Sequence, residues 1–185
     1  MNRQLIGILG ATSIIGTLPL LTTFTNLAPV AAQNSTLAPK LNKILPKIKR
    51  QTRVPILLPS NLQLPASPTV YVEGTGNKNG YDIHLGFAPN CGGATVCKLG
   101  FIGAKRSTKA FFPGDTFAKK IPLTKGITGF FNPMRCAASC AAPYIEWTYK
   151  GVRYLIEYKH AGSTNQQQQA FLTILANSAI NAGSR

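Results

Sequence analysis

Apolar and polar residues alternate most regularly between positions 80 and 106. In the first half of this stretch a large apolar residue occupies every second position, a period typical of a β-strand with one buried face. These residues are Tyr81, Ile83, Leu85 and Phe87. A turn rich in glycine and proline follows, and residues 98–104 predict a returning strand. We expect this strand to carry Leu99 and Phe101 on one side and Ile102 and Ala104 on the other.

A second hairpin is predicted at residues 144–158, where two alternating runs flank Lys150 and Gly151. Glycine supplies the positive φ that a two-residue hairpin turn requires. The predicted buried face consists of Trp147, Tyr149, Val152, Tyr154 and Ile156. The opposite face carries Glu146, Thr148, Arg153 and Glu157. We expect that face to be exposed, so that a cross-strand charge pair on it contributes under about 1 kcal/mol.

Shorter patterns predict further strands at residues 69–73, 108–112, 121–123 and 127–131. Residues 74–80 read GTGNKNG and predict a flexible turn. Residues 53–60 form an apolar run that contains two prolines, which favours an extended connector over a central strand. We expect the aromatic side chains that follow the first hairpin to be buried, namely Phe111, Phe112 and Phe117.

Helical spacing begins before the first strand. Apolar residues recur every three or four positions from Leu37 to Ile48, with the lysines largely on the opposite face. Pro46 predicts a kink or a new helix start near Leu45, because proline cannot donate the backbone hydrogen bond of a helix interior. This basic amphipathic segment fits either a helix packed on its own domain or a helix lying on a membrane surface.

A second helix is predicted after the last strand. Ser163 and Gln166 predict its capping box, and apolar residues at helical spacing continue to a stop at Gly183. The patterns together predict an α+β fold: a curved antiparallel sheet with a C-terminal helix and an N-terminal basic helix packed on it. The expected core consists of Tyr81, Ile83, Leu85, Phe101, Phe130, Trp147, Tyr154, Ile156, Phe171 and Leu175.

Residues 1–32 predict a secretory signal peptide. Arg3 precedes an apolar run, and Ala32 ends a group of small residues suited to cleavage. The alternative is a signal that stays in the membrane as an anchor, against which Pro19 and the polar residues 22–26 argue. The chain would then comprise a basic helical segment at 33–53 and a single sheet-and-helix domain at 54–185. A secreted or periplasmic location follows from this prediction.

The chain is strongly basic, with 20 Lys and Arg against five Asp and Glu and a net charge of +15. This excess favours an anionic partner, for which an acidic glycan or a membrane surface fits better than nucleic acid. The alternative is that the charge serves solubility alone. Basic residues are densest at 40–53 and 98–109. The predicted anion-binding residues are Lys47, Lys49, Arg50, Arg53, Lys105, Arg106 and Lys109.

Four cysteines in an exported chain indicate two disulfides. Three pairings exist, and the short spacings favour two local bridges, Cys91 with Cys97 and Cys136 with Cys140. The alternatives are a pairing between the two loops and a zinc site made of four thiolates. The spacing of the first cysteine pair is longer than zinc sites commonly use, so we predict no metal.

Two histidines, His84 and His160, are the candidates for acid–base chemistry. A ribonuclease-like cleavage of RNA would need both imidazoles at one substrate, and no pattern brings them together. Ser139 lies in CAASC, which lacks the Gly-x-Ser-x-Gly turn of a hydrolase nucleophile. The sequence therefore favours a non-enzymatic protein without a cofactor over an enzyme.

Five segments of the sequence are similar to segments of other proteins. They are VPILLPS at 54–60, GYDIHLGFAPNCGGATVC at 80–97, GITGFFNPMRCAASC at 126–140, IEWTYKGVRYLI at 145–156 and ILANSAI at 174–180. Through them most of the mature chain resembles small exported proteins of cyanobacteria that have no assigned function. Its ending is also similar to the C-terminal domains of some bacterial surface lipoproteins, although it lacks their lipid-bearing cysteine. The resemblance implies an envelope or extracellular setting and transfers no catalytic residue.

These observations predict a non-enzymatic binding or envelope-associated protein that contacts an anionic glycan or membrane surface. Two other hypotheses stay open at this point. One is the secreted ribonuclease-like enzyme that uses His84 and His160. The other is a protein-interaction or inhibitor module that presents the two loops held by disulfides.

Overall fold

The computed structural model describes residues 37–60, 62, 64–91, 94–114 and 119–185. The predicted signal peptide and Phe117 lie outside the described residues. Within the described residues, no helix has the length and apolar character needed to cross a membrane.

The described residues form an α+β structure, which confirms the predicted fold class. The helices are α1 (Pro39–Gln51) and α2 (Asn165–Ala182). The strands are β1 (Tyr71–Asn77), β2 (Gly80–Gly86), β3 (Lys98–Lys105), β4 (Lys119–Pro122), β5 (Thr128–Asn132), β6 (Arg135–Cys136), β7 (Cys140–Ala141), β8 (Tyr144–Tyr149) and β9 (Val152–Tyr158). Seven of them form one antiparallel sheet in the order β1-β2-β3-β9-β8-β5-β4, while β6 and β7 form a separate small hairpin.

Helix α1 packs on β1 and α2 packs on β8 and β9, so we call the face that they cover the inner face. Strand β1 continues through Gly74 and Gly76, and β2 begins at Gly80, so the prediction of a flexible turn at 74–80 was wrong except at residues 78–79. A Cβ atom at Gly74 would lie 2.8 Å from Cδ1 of Ile48 on α1. These glycines therefore let the helix approach the strand closely, a role that composition alone does not distinguish from a turn.

The single helix α1 includes Pro46 and does not restart near Leu45. Pro46 is exposed, so water can satisfy the carbonyl of Asn42, which loses its helical hydrogen bond. Leu41 and Ile48 are fully buried. The apolar face of α1 is therefore packed on its own domain, as the first of the two alternatives predicted.

Residues 53–60 form an extended connector over the inner face, as predicted. Their central apolar side chains are buried. Tyr81 fixes the connector, because its buried hydroxyl accepts a hydrogen bond from the N–H of Leu57 and donates one to the Leu57 carbonyl, at 3.1 and 3.0 Å. Burial raises the pKa of Tyr81 far above its usual value, so this hydroxyl stays protonated.

A β-bulge changes which residues of β3 face the core. Leu85 pairs with Gly100 and Gly86 pairs with Lys98, which leaves Leu99 as the extra residue. Leu99 is consequently fully buried in the core together with Ile102 and Ala104. Phe101 lies on the opposite, outer face. The predictions that Leu99 and Phe101 share one side of the strand and that Phe101 belongs to the core were therefore both wrong.

Some of the remaining predictions are confirmed and others are wrong. The hairpin of β8 and β9 and the strands β4 and β5 lie where the pattern placed them. No strand forms at 108–112, and Phe112 is 39% exposed. Phe130 and Phe171 are half-buried, whereas the neighbouring Phe131 and Leu172 are fully buried.

The capping box of α2 lies one residue later than predicted. The Thr164 hydroxyl accepts a hydrogen bond from the N–H of Gln167, and the Gln167 side chain accepts one from the N–H of Thr164. The helix ends before Gly183, which adopts a φ of 72°. The predicted stop is therefore confirmed.

Candidate functional site

The sheet has two chemically different ends. At one end lie the exit of β3 and the turns that join β1 to β2, β4 to β5 and β8 to β9; we call this the basic end. The opposite end carries the loop between β2 and β3 and the β6–β7 hairpin, each of which is closed by a disulfide. We call it the disulfide end.

The fold brings the last residues of the two basic stretches toward the basic end. Helix α1 runs toward it, and the side-chain oxygen of Gln51, the last residue of α1, accepts a 2.9 Å hydrogen bond from the N–H of Gly76. From the other stretch, the N–H of Arg106 donates to the carbonyl of Asn79, in the turn between β1 and β2, at 2.7 Å. Gln51 at the end of α1 and Arg106 after β3 therefore both bind the hairpin of β1 and β2, Gln51 near the end of β1 and Arg106 at the turn.

A tyrosine provides a second link between these stretches. The Tyr154 hydroxyl donates a 3.0 Å hydrogen bond to the carbonyl of Pro55, two residues after Arg53. Burial raises the pKa of Tyr154, and the positive charge of Arg106 acts in the opposite direction. Arg106 thus lies within electrostatic reach of the hydroxyl that holds the connector. A cavity of about 300 Å³ lies beside the connector and is lined in part by Lys49 and Arg53.

The predicted anion-binding residues do not all have the same environment. Exposed positions are occupied by Lys47, Lys49, Arg50, Arg53, Arg106 and Lys109. Lys105 is half-buried: its Nζ donates to the carbonyl of Ala110 at 2.9 Å and lies 4.3 Å from the ring centre of Phe111. Lys105 therefore holds the loop after β3, which also contains Lys109.

Three lysines at the basic end were not predicted. Lys78 lies in the turn between β1 and β2, Lys125 in the 3₁₀ turn between β4 and β5, and Lys150 in the turn between β8 and β9. Nζ of Lys125 donates to the Ile180 carbonyl near the end of α2. Each of these lysines is isolated in the sequence, so the only available signal was its position in a hairpin turn.

The carboxylates of β8 and β9 are buried, contrary to the expectation of an exposed face. Glu146 forms an ion pair with Arg153 and accepts a 3.0 Å hydrogen bond from the N–H of Phe111. Glu157 forms an ion pair with Lys98 at 2.8 Å. They are buried because residues 106–114 fold over the outer face, where the Phe111 ring packs 6.2 Å from that of Phe101.

The other described acids are Glu73 and Asp82. Glu73 accepts a hydrogen bond from the N–H of Asn90, in the loop at the disulfide end. Asp82 lies on the outer face, where burial raises its pKa and the nearby His84 and Lys105 lower it. The hydrogen bonds and ion pairs of Glu73, Glu146 and Glu157 described above therefore engage groups other than the cations of α1 and Arg106.

Both predicted local disulfides are present. Cys91 is bonded to Cys97 and Cys136 to Cys140. The alternative pairing between the loops was therefore wrong. Because all four sulfurs are joined in disulfides, none is available as a thiolate ligand for zinc.

The two histidines lie against different aromatic rings. His84 contacts Phe101 on the outer face, with ring centres 5.1 Å apart. His160 is exposed at the disulfide end, where its ring centre lies 6.0 Å from that of Phe87. The ribonuclease hypothesis gains no support from this arrangement. Within the described ranges, no group of three or more His, Cys, Asp and Glu side chains is placed to hold a metal ion.

No protein-family model matches the chain, and comparison with curated proteins and with solved structures finds no significant match. The resemblance to exported cyanobacterial proteins and to lipoprotein domains therefore stays a prediction. A function has to be inferred from the charge and geometry described above.

Proposed function

We propose that this is a non-enzymatic binding protein of the periplasm or cell exterior that attaches to an acidic glycan through its basic end. The observation that carries the proposal is that Gln51, at the end of the basic helix α1, and Arg106 both bind the hairpin of β1 and β2. Several cations within one patch bind a polyanion more strongly than the same charges spread over the surface, because each contacts a separate anionic group.

The burial of α1 favours a glycan over a membrane. A membrane-surface helix needs an apolar face to insert between lipids, and the apolar face of α1 is already covered by β1. The large exposed apolar side chains of the described residues are Tyr71, Val96, Phe112 and Ile174. None of them belongs to the basic end, which therefore offers charge and hydrogen-bond donors without an apolar anchor.

The disulfides support an exported location. Such bonds persist in oxidising compartments such as the periplasm and the cell exterior, and both pairs are formed here. We propose that residues 1–32 act as the secretory signal that delivers the chain there.

A salt series on immobilised heparin tests the proposal. Heparin serves as the probe because it is a glycan with a high density of anionic groups. We expect the protein to be retained at about 0.1 M salt and released as the Debye length falls from about 10 Å toward about 3 Å at 1 M. Vesicles that contain anionic lipid form the second arm, and we expect weaker retention on them.

A neutral protein of the same size serves as the control. Elution no later than this control would remove the basis of the proposal. Retention on anionic vesicles that exceeds retention on heparin would identify the membrane as the partner instead.

A further inference from the structure

A cleft of about 250 Å³ lies at the disulfide end, away from the basic end. Thr95 lines it from the loop closed by Cys91 and Cys97, and Cys140 lines it from the β6–β7 hairpin. Tyr144 at the start of β8 and Glu157 near the end of β9 also line it. A covalent bond closes each loop, so the cleft is held in shape before any ligand enters it.

The cleft has an excess of positive charge. Among the described residues that line it, Lys98 and Lys159 supply two ammonium groups beside the carboxylate of Glu157. Lys98 donates to Glu157 at 2.8 Å, and Lys159 donates to the carbonyl of Thr95 at 3.1 Å. Since an ammonium group carries three N–H donors, both lysines keep donors for a ligand after making these bonds.

Aromatic side chains line the cleft beside the charged groups. Phe112 is 39% exposed, and its ring packs edge-to-face against that of Tyr144 with ring centres 5.0 Å apart. The contact fixes the Phe112 ring at the cleft while leaving part of it open to a ligand. The cleft therefore places cationic donors beside an accessible aromatic ring.

We propose that this cleft binds a small organic anion, in which a carboxylate or phosphate group is attached to a planar apolar body. The anionic group would contact Lys98 and Lys159, and the planar body would lie against Phe112. The volume is below the range of pockets that hold drug-sized molecules, so the ligand is smaller than these. This site is independent of the attachment proposed for the basic end.

Titration of the isotope-labelled protein with phenyl phosphate and with benzoate, followed by NMR, tests the proposal. We expect one or both anions to shift the backbone amide signals of Thr95, Cys140 and Lys159, with a dissociation constant on the order of millimolar. The comparison of the two probes shows whether phosphate or carboxylate is preferred. Benzyl alcohol, which has the ring without the charge, is the matched neutral probe.

Two variants separate the charge from the ring. Lys159→Met and Phe112→Leu are each expected to weaken binding of the preferred anion about tenfold, whereas Lys120→Met, on exposed β4, leaves it unchanged. Amide spectra of the variants report whether they are folded. Equal shifts with benzyl alcohol, shifts confined to the basic end, or full binding by folded Lys159→Met would overturn the proposal.

Discussion

Replacing Arg50, Arg53 and Arg106 together by Gln is expected to lower the affinity for a heparin oligosaccharide roughly 100-fold. Each cation close to an anionic surface contributes about 1 kcal/mol, so three contribute about 3 kcal/mol. All three side chains are exposed, so the substitutions leave the core unchanged. Isothermal titration calorimetry at fixed salt measures the change.

The matched control removes the same number of charges elsewhere. Lys43, Lys119 and Lys120 are exposed, and they lie in the first half of α1 and at the start of β4. Their joint replacement by Gln is expected to change the affinity less than about threefold. An equal loss in both triple variants would mean that total charge, rather than the basic end, determines binding.

The second large effect concerns the ion pair between Glu146 and Arg153. Arg153→Met is expected to lower the free energy of unfolding by about 3 kcal/mol, because it leaves the buried Glu146 carboxylate without its cation. Arg153 also donates to the carbonyl of Thr108 at 2.9 Å, so the loop over the outer face loses a contact as well. Urea denaturation measures this loss.

A double variant distinguishes the effect of an unpaired buried charge from that of a general packing defect. Glu146→Met combined with Arg153→Met removes both charges and keeps apolar volume, so most of the lost stability is expected to return. Recovery of none of it would indicate that the pair acts through the loop contacts alone. A loss under about 1 kcal/mol in Arg153→Met would restore the sequence-based expectation of an exposed pair.

The parts of the fold that depend on local pattern were predictable from the sequence. The alternation around Ile83 and the glycine between β8 and β9 specify two hairpins, and the spacing around Leu41 and Ile48 specifies α1. Each of these signals is contained in fewer than about twenty residues. The two local disulfides belong to the same group, because a short spacing within one loop favours local pairing.

Features that depend on contacts distant in the sequence were not predictable. Glu146 and Glu157 were expected on an exposed face because the pattern does not show that residues 106–114 cover it. Gly74 resembles a turn residue until the position of α1 against β1 is known. The burial of Leu99 depends on a one-residue bulge in the pairing of β2 with β3.

In the candidate site, too, some features follow from the local sequence and others depend on the fold. Charge density along the sequence led to the selection of Arg50 and Arg106. That the end of α1 and the exit of β3 reach the same hairpin follows from the order of the strands and the direction of α1, which the sequence does not specify. Lys78, Lys125 and Lys150 were missed because single lysines in turns are common and gain significance only when the turns lie at one end of a sheet.

The most direct test of the central claim is to locate where an acidic glycan binds. A heparin oligosaccharide titrated into the isotope-labelled protein is expected to shift the amide signals of Arg53, Lys78, Asn79 and Arg106 most strongly. The signals of Thr95 and Cys140, at the disulfide end, are expected to stay unchanged. Shifts spread evenly over the surface, or largest at the disulfide end, would contradict the assignment of the basic end as the attachment surface.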